Sequence, residues 1–210
     1  MYLNDAFDAA YDRQHRPGRP IPSGAVAEST VFAIGAALIG SGLILLLGLS
    51  PGRAGLGGFA AGLALTIAIL VYDACHKGNP IGPLLMGLCR VLVYVTTAAP
   101  IAGTLPRDLL WAAAMGLCYL IGLIYAAKQE DLKQPGRLWP LAFLGASFVY
   151  GLAIARGSFI GLVVYATLLV AVVWAISTMV RRDRSNIPRV VSTLIAGVCL
   201  LDALFIAGAN

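Results

Sequence analysis

The sequence predicts an all-α protein, a polytopic bundle of transmembrane helices. Hydrophobic residues make up 59% of the 210 residues and charged residues only 12%, which is too apolar for a soluble core with a polar surface. Seven apolar stretches come close to or exceed the roughly 20 residues that a helix needs to cross about 30 Å of hydrocarbon. Basic residues alternate between the two ends of these stretches. With no soluble domain or clear tandem repeat, we predict a single domain over residues 1–210.

The predicted helices follow the apolar stretches in order. They cover a partial helix at residues 1–12 and spans at 24–48, 56–76, 81–100, 107–128, 139–155, 158–180 and 188–208. Small residues fill these spans, as in the pair Gly58 and Gly62. Such spacing is typical of membrane helices that approach one another closely, so we expect packing to explain most of the glycines.

The lysines and arginines predict the orientation of these helices. One set of alternate connections carries 11 of the 15 and the other set carries three, with Arg90 inside a span. The 11 are Arg13, Arg16, Arg19, Lys77, Lys128, Lys133, Arg137, Arg181, Arg182, Arg184 and Arg189. The positive-inside tendency places that side in the cytoplasm of a multi-pass cell-membrane protein. The net charge of +5 therefore indicates membrane topology and no nucleic-acid partner.

The first 12 residues are too few to cross the bilayer. At 1.5 Å per residue they reach roughly 18 Å, against about 30 Å of hydrocarbon. They are acidic and lack an apolar centre, which is unlike a signal peptide. We therefore expect Met1 to be an internal residue of a longer helix, with the domain incomplete at its N-terminus.

Asn4, Asp8 and Asp12 form a ladder of oxygen-bearing side chains on the first helix. Their spacing of four residues keeps them near one helix face. Carboxylates this close repel one another unless a cation compensates, and Mg²⁺ prefers a few carboxylates together with phosphate oxygens. The alternative is a solvated helix end that happens to be acidic.

A proline-rich basic loop follows the ladder, and together they read N-D-x-x-D-x-x-x-D-x-x-x-R-P-x-R-P-I-P-S-G. This string resembles the first signature of the UbiA superfamily of intramembrane prenyltransferases. The resemblance extends over the chain and implies a UbiA-like nine-helix bundle, with about eight helices present, the first missing and the second partial. It also implies that Asn4, Asp8 and Asp12 bind Mg²⁺ held on an allylic prenyl diphosphate, with Asp8 and Asp12 catalytic.

The loop residues have two interpretations. Arg16 and Arg19 either neutralise diphosphate charge or hold the loop against anionic lipid head groups. Prolines stiffen the loop, and we expect Ser23 to cap the next helix.

The string VYDACHKGNP supplies a second cluster on the same predicted face. UbiA relatives have a tyrosine and a lysine in a similar place, which makes Tyr72, Asp73 and Lys77 substrate-binding candidates. Lys77 is the preferred catalytic clamp on the diphosphate, the alternative being a lysine that snorkels to the membrane surface. On the next helix, Arg90 and Tyr94 share one face. Arg90 either contacts the diphosphate or belongs to a structural buried pair.

The sequence departs from the family at its second acidic motif, where it reads LCYLIGLIYAAKQEDLKQPGR. Glu130 and Asp131 are adjacent, about 100° apart on a helix, so they cannot stack as a second ladder. We keep them as substrate-binding candidates, with Lys128 replacing the charge of one metal ion. Together with YDxxxK and MGLCR, the string LLDALF resembles the divergent EboC-like branch of the superfamily.

The resulting functional prediction is a membrane prenyltransferase. It would transfer a prenyl group from an allylic prenyl diphosphate to a hydrophobic or aromatic acceptor, with Mg²⁺ as cofactor. The alternative is a transporter or lipid-binding protein that keeps the UbiA fold and has lost catalysis.

Overall fold

A computed structural model of the chain describes residues 2–48, 52–75, 79, 81–102, 104–131, 141–181 and 187–208, and the side chains of all of these except 53, 128–131 and 187. These residues belong to two compact units, 1–106 and 107–210. Throughout the described ranges the regular structure is helical, with no strand. The predicted all-α class is therefore confirmed.

Within its described residues, the first unit contains five helices. They are α1 (Tyr2–Phe7), α2 (Ala9–His15), α3 (Glu28–Gly48), α4 (Arg53–Cys75) and α5 (Gly82–Ala102). Helix α4 packs against α3 and α5, and α1 packs on α3 and α4. The two short helices α1 and α2 thus lie beside the long ones in place of the single helix predicted at 1–12.

The described part of the second unit contains four helices, α6 (Arg107–Asp131), α7 (Ala142–Ala155), α8 (Phe159–Val180) and α9 (Ile187–Gly208). Helix α9 packs against the other three. Ser158 begins α8 by accepting a hydrogen bond from the backbone N–H of Gly161, which satisfies one of the donors that a helix start leaves exposed.

Six of these helices are long and apolar enough to cross a membrane: α3, α4, α5, α6, α8 and α9. Helix α7 is equally apolar, but its 14 residues extend only about 21 Å. Large apolar side chains remain exposed along the long helices, for example Ile44 at 71% and Val170 at 68%. Lipid is the environment that makes such exposure favourable, and the predicted polytopic architecture is confirmed.

Helix α3 begins at Glu28, four residues later than predicted, because the loop before it folds into turns. Gly24 has φ +79°, a left-handed conformation that suits glycine. Ser23 lies in this loop and donates its hydroxyl proton to the Pro20 carbonyl at 3.1 Å. The prediction that Ser23 caps the helix is wrong, since the chain needs those residues to reverse direction.

The glycine pair on α4 packs as expected. A side chain at Gly58 would meet Pro100 of α5, and one at Gly62 would meet Leu43 and Leu46 of α3. The two glycines therefore let α3 and α5 come close to α4.

The second unit is held by a core around Tyr119, whose side chain is fully buried on α6. Its hydroxyl donates a hydrogen bond to the Leu194 carbonyl on α9 at 3.0 Å. Gly197, one turn further along α9, leaves the space that this hydroxyl occupies, because a β-carbon there would overlap it and lie 3.2 Å from Leu168. The phenol and the glycine are thus complementary parts of one helix contact.

We expect Gly197→Ala to lower the free energy of unfolding of the full chain by about 1–3 kcal/mol, the usual cost of overpacking a core. The change should cost less in a Tyr119→Phe background, because phenylalanine lacks the overlapping hydroxyl. Denaturant titration in detergent micelles measures both values.

Gly145→Ala on α7 is the matched control, since a β-carbon there meets no atom within 4 Å. It should leave stability unchanged or slightly raised, because alanine favours the helix. Equal stability of Gly197→Ala and the unmodified chain would contradict the proposed contact.

Candidate active site

The acidic ladder lies on two helices that join at Asp8. Asp8 has helical backbone angles, φ −83° and ψ −6°. Its N–H donates to the Asn4 carbonyl and its own carbonyl accepts from the Asp12 N–H, both at 2.9 Å. The four-residue register therefore continues through the junction, which keeps the predicted spacing along the chain.

The first ladder residue meets the end of α4. The side-chain amide of Asn4 donates to the Asp73 carboxylate at 3.1 Å. Asp73 is buried, with 7% of its surface exposed, and lies in the last turn of α4. This hydrogen bond joins residues 69 positions apart, so it unites the two sequence motifs in one place.

Tyr72 connects the same place to α5. Its hydroxyl lies 3.8 Å from the sulfur of Met86, to which it donates. The carboxylates of Asp73 and Asp8 and the thiol of Cys89 are electrostatic neighbours of this phenol. Side chains from three segments, α1 with its junction to α2, the end of α4 and the start of α5, thus converge.

Asp12, the last ladder residue, has a different partner. It is 3% exposed, and its carboxylate accepts a hydrogen bond from Arg19 Nη1 at 2.7 Å. The same guanidinium nitrogen lies 3.6 Å from the Asp5 carboxylate. Arg19 therefore bridges two carboxylates on either side of the Asp8 junction, in keeping with the strength of charge-assisted hydrogen bonds.

Asp5 is a site residue that the sequence reasoning missed. The sequence includes Asp5 in the motif but gives it no role of its own, although it precedes Asp12 by seven residues. Seven residues are almost two full helical turns, so the two carboxylates lie near one face. That spacing is the signal that identifies Asp5 as a second neighbour of Arg19.

Outside this group, α1 and α2 are tied to α3 by contacts at the surface. Arg13 donates to Glu28 at 2.7 Å, with both side chains well exposed. Phe7 packs edge-on against Phe32, with ring centroids 5.4 Å apart. These contacts hold the ladder against the long helix and are separate from the polar convergence at Asp73.

Arg90 and Tyr94 lie one turn apart on α5, and the guanidinium carbon is 5.2 Å from the ring centroid. This is the geometry of a cation–π interaction. The structure therefore brings together these two predicted residues, both partly buried within the span.

Four predicted residues cannot be assigned a position for their side chains. Lys77 lies outside the described residues. Lys128, Glu130 and Asp131 belong to the last turn of α6, where only the backbone is described. Arg16 is described and lies exposed in the loop, its N–H donating to the Asp12 carbonyl at 2.7 Å.

The donor chemistry around Asn4 suits Mg²⁺. Among the described residues no group of three or more His, Cys, Asp or Glu side chains is placed to hold a metal ion. Mg²⁺ does not need one, because it binds through one or two carboxylates together with water and phosphate oxygens. The oxygens of Asn4, Asp8 and Asp73 fit that requirement, whereas the Asp12 carboxylate is engaged by Arg19.

Comparison with known proteins identifies the group to which this arrangement belongs. The sequence pattern of the UbiA prenyltransferase family matches residues 1–201. The chain belongs to the UbiA prenyltransferase family. The resemblance read from the acidic ladder and its loop is confirmed, while the assignment to the EboC-like branch stays a prediction.

Two curated relatives are both named digeranylgeranylglyceryl phosphate synthase. The one from Methanoregula boonei is 39% identical over 134 residues, which are 62% of this chain and 46% of the relative. The one from Metallosphaera sedula is 46% identical over 43 residues, which are 20% of this chain and 15% of the relative. The matches thus cover less than half of either relative's length. No solved structure matches the chain.

The contact between the two UbiA motifs can be measured by a double-mutant cycle. Asn4→Ala and Asp73→Ala each remove one side of the hydrogen bond, so their effects on the free energy of unfolding should be non-additive by about 1 kcal/mol. Denaturant titration of the full chain gives the four values. Pairing Asn4→Ala with Glu28→Gln, which acts on the separate Arg13 contact, should be additive, and additivity in the first cycle would refute the contact.

Proposed function

We propose that this UbiA-family protein transfers a prenyl group from an allylic prenyl diphosphate to a lipophilic acceptor within the membrane. The observation that carries the proposal is the Asn4–Asp73 hydrogen bond, which joins the diphosphate signature on α1 to the end of α4. The printed names of the two relatives support a lipid acceptor, since both name a glyceryl phosphate product. The acceptor class stays open between such lipids and the aromatic compounds suggested by the sequence.

Asn4, Asp8 and Asp73 are the residues that we propose to hold Mg²⁺, with Asp12 as the further ligand implied by the ladder. When bound, Mg²⁺ supplies positive charge that offsets the developing charge on the diphosphate. The side chains themselves orient the diphosphate at the helix ends, because Asn4 is fixed by Asp73 and Asp8 is fixed by the helical junction.

Basic and aromatic residues complete the proposed substrate site. Lys77 and Arg16 are proposed to contact diphosphate oxygens from the two loops. Arg90 is proposed to lie further along the prenyl path, oriented by its contact with Tyr94. Tyr72 is proposed to line the same path beside Met86.

Lys128, Glu130 and Asp131 are proposed to bind substrate. The proposal follows from the sequence, in which the two acidic residues are adjacent and therefore cannot form a second ladder with four-residue spacing. Lys128 adds a positive charge in the same turn of α6. This charge suits a site that binds diphosphate with fewer metal ions than a site with two acidic ladders.

The proposed reaction breaks the bond between the allylic carbon and the diphosphate oxygen, and pyrophosphate leaves with the bonding electrons. An acceptor oxygen or carbon then forms a bond to that allylic carbon and loses its proton. Apolar helices around the prenyl chain exclude water, which would otherwise capture the allylic cation. The positive-inside distribution supports a cytoplasmic position for the diphosphate site.

The decisive experiment measures pyrophosphate release from allylic prenyl diphosphates by the full chain in membranes. We expect Asp8→Ala to lower the rate at least about 100-fold, the scale of losing one preorganised charge-stabilising group. Release should also require added Mg²⁺ and stop when the ion is chelated.

Glu28→Gln is the matched control, because it removes a carboxylate of the same unit that is bound to Arg13 on the helix surface. It should keep the rate within about twofold of the unmodified chain. Full turnover in Asp8→Ala would remove Asp8 from the mechanism. Prenyl lipid flux without pyrophosphate release would instead favour a UbiA-fold transporter.

A further inference from the structure

Arg19 has a contact that neither of its two sequence interpretations includes. Its side chain is 38% exposed, yet the side chain of Asp12, whose carboxylate it contacts at 2.7 Å, is nearly fully buried. A buried carboxylate is costly unless a positive or hydrogen-bonding group compensates it. Arg19 supplies that compensation from within the protein.

The position of Arg19 is set by the backbone of its loop. The Arg19 N–H donates to the Arg16 carbonyl at 3.1 Å, and the Arg19 carbonyl accepts from the Ser23 N–H at 2.9 Å. Ile21 is buried in a small core with Ala6, Ala9 and Val31. Because the loop is folded and anchored on both sides of Arg19, the guanidinium is directed at Asp12 by the fold.

A guanidinium and a metal ion compete for the same carboxylate oxygens. We propose that Arg19 is a positioning residue that keeps Asp12 out of the metal site until prenyl diphosphate arrives, and then exchanges Asp12 for a diphosphate oxygen. This inference rests on the proposed function. In the resting protein, the proposed metal ligands are Asn4, Asp8 and Asp73. Asp12 binds the metal only in the substrate complex.

The exchange is chemically balanced. Arginine's planar donors match phosphate oxygens as well as carboxylate oxygens, so the guanidinium leaves one anion for another. A cavity of about 440 Å³ adjoins Asp5, Asp12 and Arg19, which gives the partly exposed side chain room to turn. Asp5, at 3.6 Å, keeps a second carboxylate near the guanidinium.

Coupled binding follows from this exchange. Mg²⁺ alone has to displace Arg19 to use Asp12, whereas Mg²⁺ with diphosphate offers Arg19 a new partner. Each ligand therefore raises the affinity for the other by the same factor. Mg²⁺ and diphosphate also attract each other directly, so the contribution of Arg19 is the part of this coupling that is lost when Arg19 is replaced.

The test measures the melting temperature of the full chain against free Mg²⁺, with and without inorganic pyrophosphate. In the unmodified chain, pyrophosphate should lower the half-saturating Mg²⁺ concentration about tenfold. In Arg19→Gln, Mg²⁺ alone should bind about tenfold more tightly than to the unmodified chain, and pyrophosphate should add less than about threefold.

Arg13→Gln is the matched control, because it also removes an arginine with a 2.7 Å carboxylate contact, but one at the exposed surface. Its half-saturating Mg²⁺ concentrations should stay within about twofold of those of the unmodified chain. Equal or weaker binding of Mg²⁺ alone by folded Arg19→Gln would overturn the exchange while leaving the proposed function in place. Absence of any Mg²⁺ response in the unmodified chain, with or without pyrophosphate, would overturn both.

Two further variants keep the test decisive if Arg19→Gln fails to fold. Arg19→Lys keeps the positive charge but lacks the planar guanidinium with its paired N–H donors. It should tighten the binding of Mg²⁺ alone by about threefold. In an Asp12→Asn background, Arg19→Gln should no longer change the Mg²⁺ affinity, because the competing carboxylate is gone. An unchanged Mg²⁺ affinity in Arg19→Lys, or a persistent effect in the Asp12→Asn background, would overturn the exchange.

Discussion

Buried polar groups in this apolar chain need hydrogen-bonding or charged partners, and the arrangement of the polar residues depends on that constraint. Within the described part of the chain, the buried polar or charged side chains are Asp12, Asp73 and Ser147. Each has a partner outside its own helix: Arg19 for Asp12, Asn4 for Asp73, and the Met115 carbonyl for Ser147. Away from water, an uncompensated group of this kind costs more than most single contacts contribute. The two carboxylates therefore fix which faces of the ladder, the loop and α4 meet.

The sequence is sufficient to predict the helices because their cause is local. A run of about 20 apolar residues forms a spanning helix whatever its neighbours are, and the predicted and observed spans agree within a few residues except at the start of α3. That boundary depends on a loop whose hydrogen bonds close within residues 16–26. Ser23 does stabilise a turn, because its hydroxyl donates to the Pro20 carbonyl. The prediction was wrong only in making Ser23 the start of the helix.

The sequence predicts which residues belong to the site better than it predicts which of them contact one another. Spacing alone put Asn4, Asp8 and Asp12 in one column, and the helical register preserves it. The sequence gives Asp73 only as a substrate-binding candidate, whereas the structure gives it a partner, Asn4, from 69 residues away. Such contacts arise from helix packing, here of α1 against α4, and no periodicity within one helix encodes them.

Arg19 also explains how two short helices can carry one continuous ladder. The junction at Asp8 keeps helical backbone angles, and the Asp8 side chain does not cap α2. A single guanidinium that reaches Asp5 before the junction and Asp12 after it opposes bending at that point, because a bend would separate the two carboxylates. The direction of the Asp8 carboxylate is then set by the pair of helices as a unit. The contacts of Arg19 with Asp5 and Asp12 thus hold together the two helices on which the position of the Asp8 carboxylate depends.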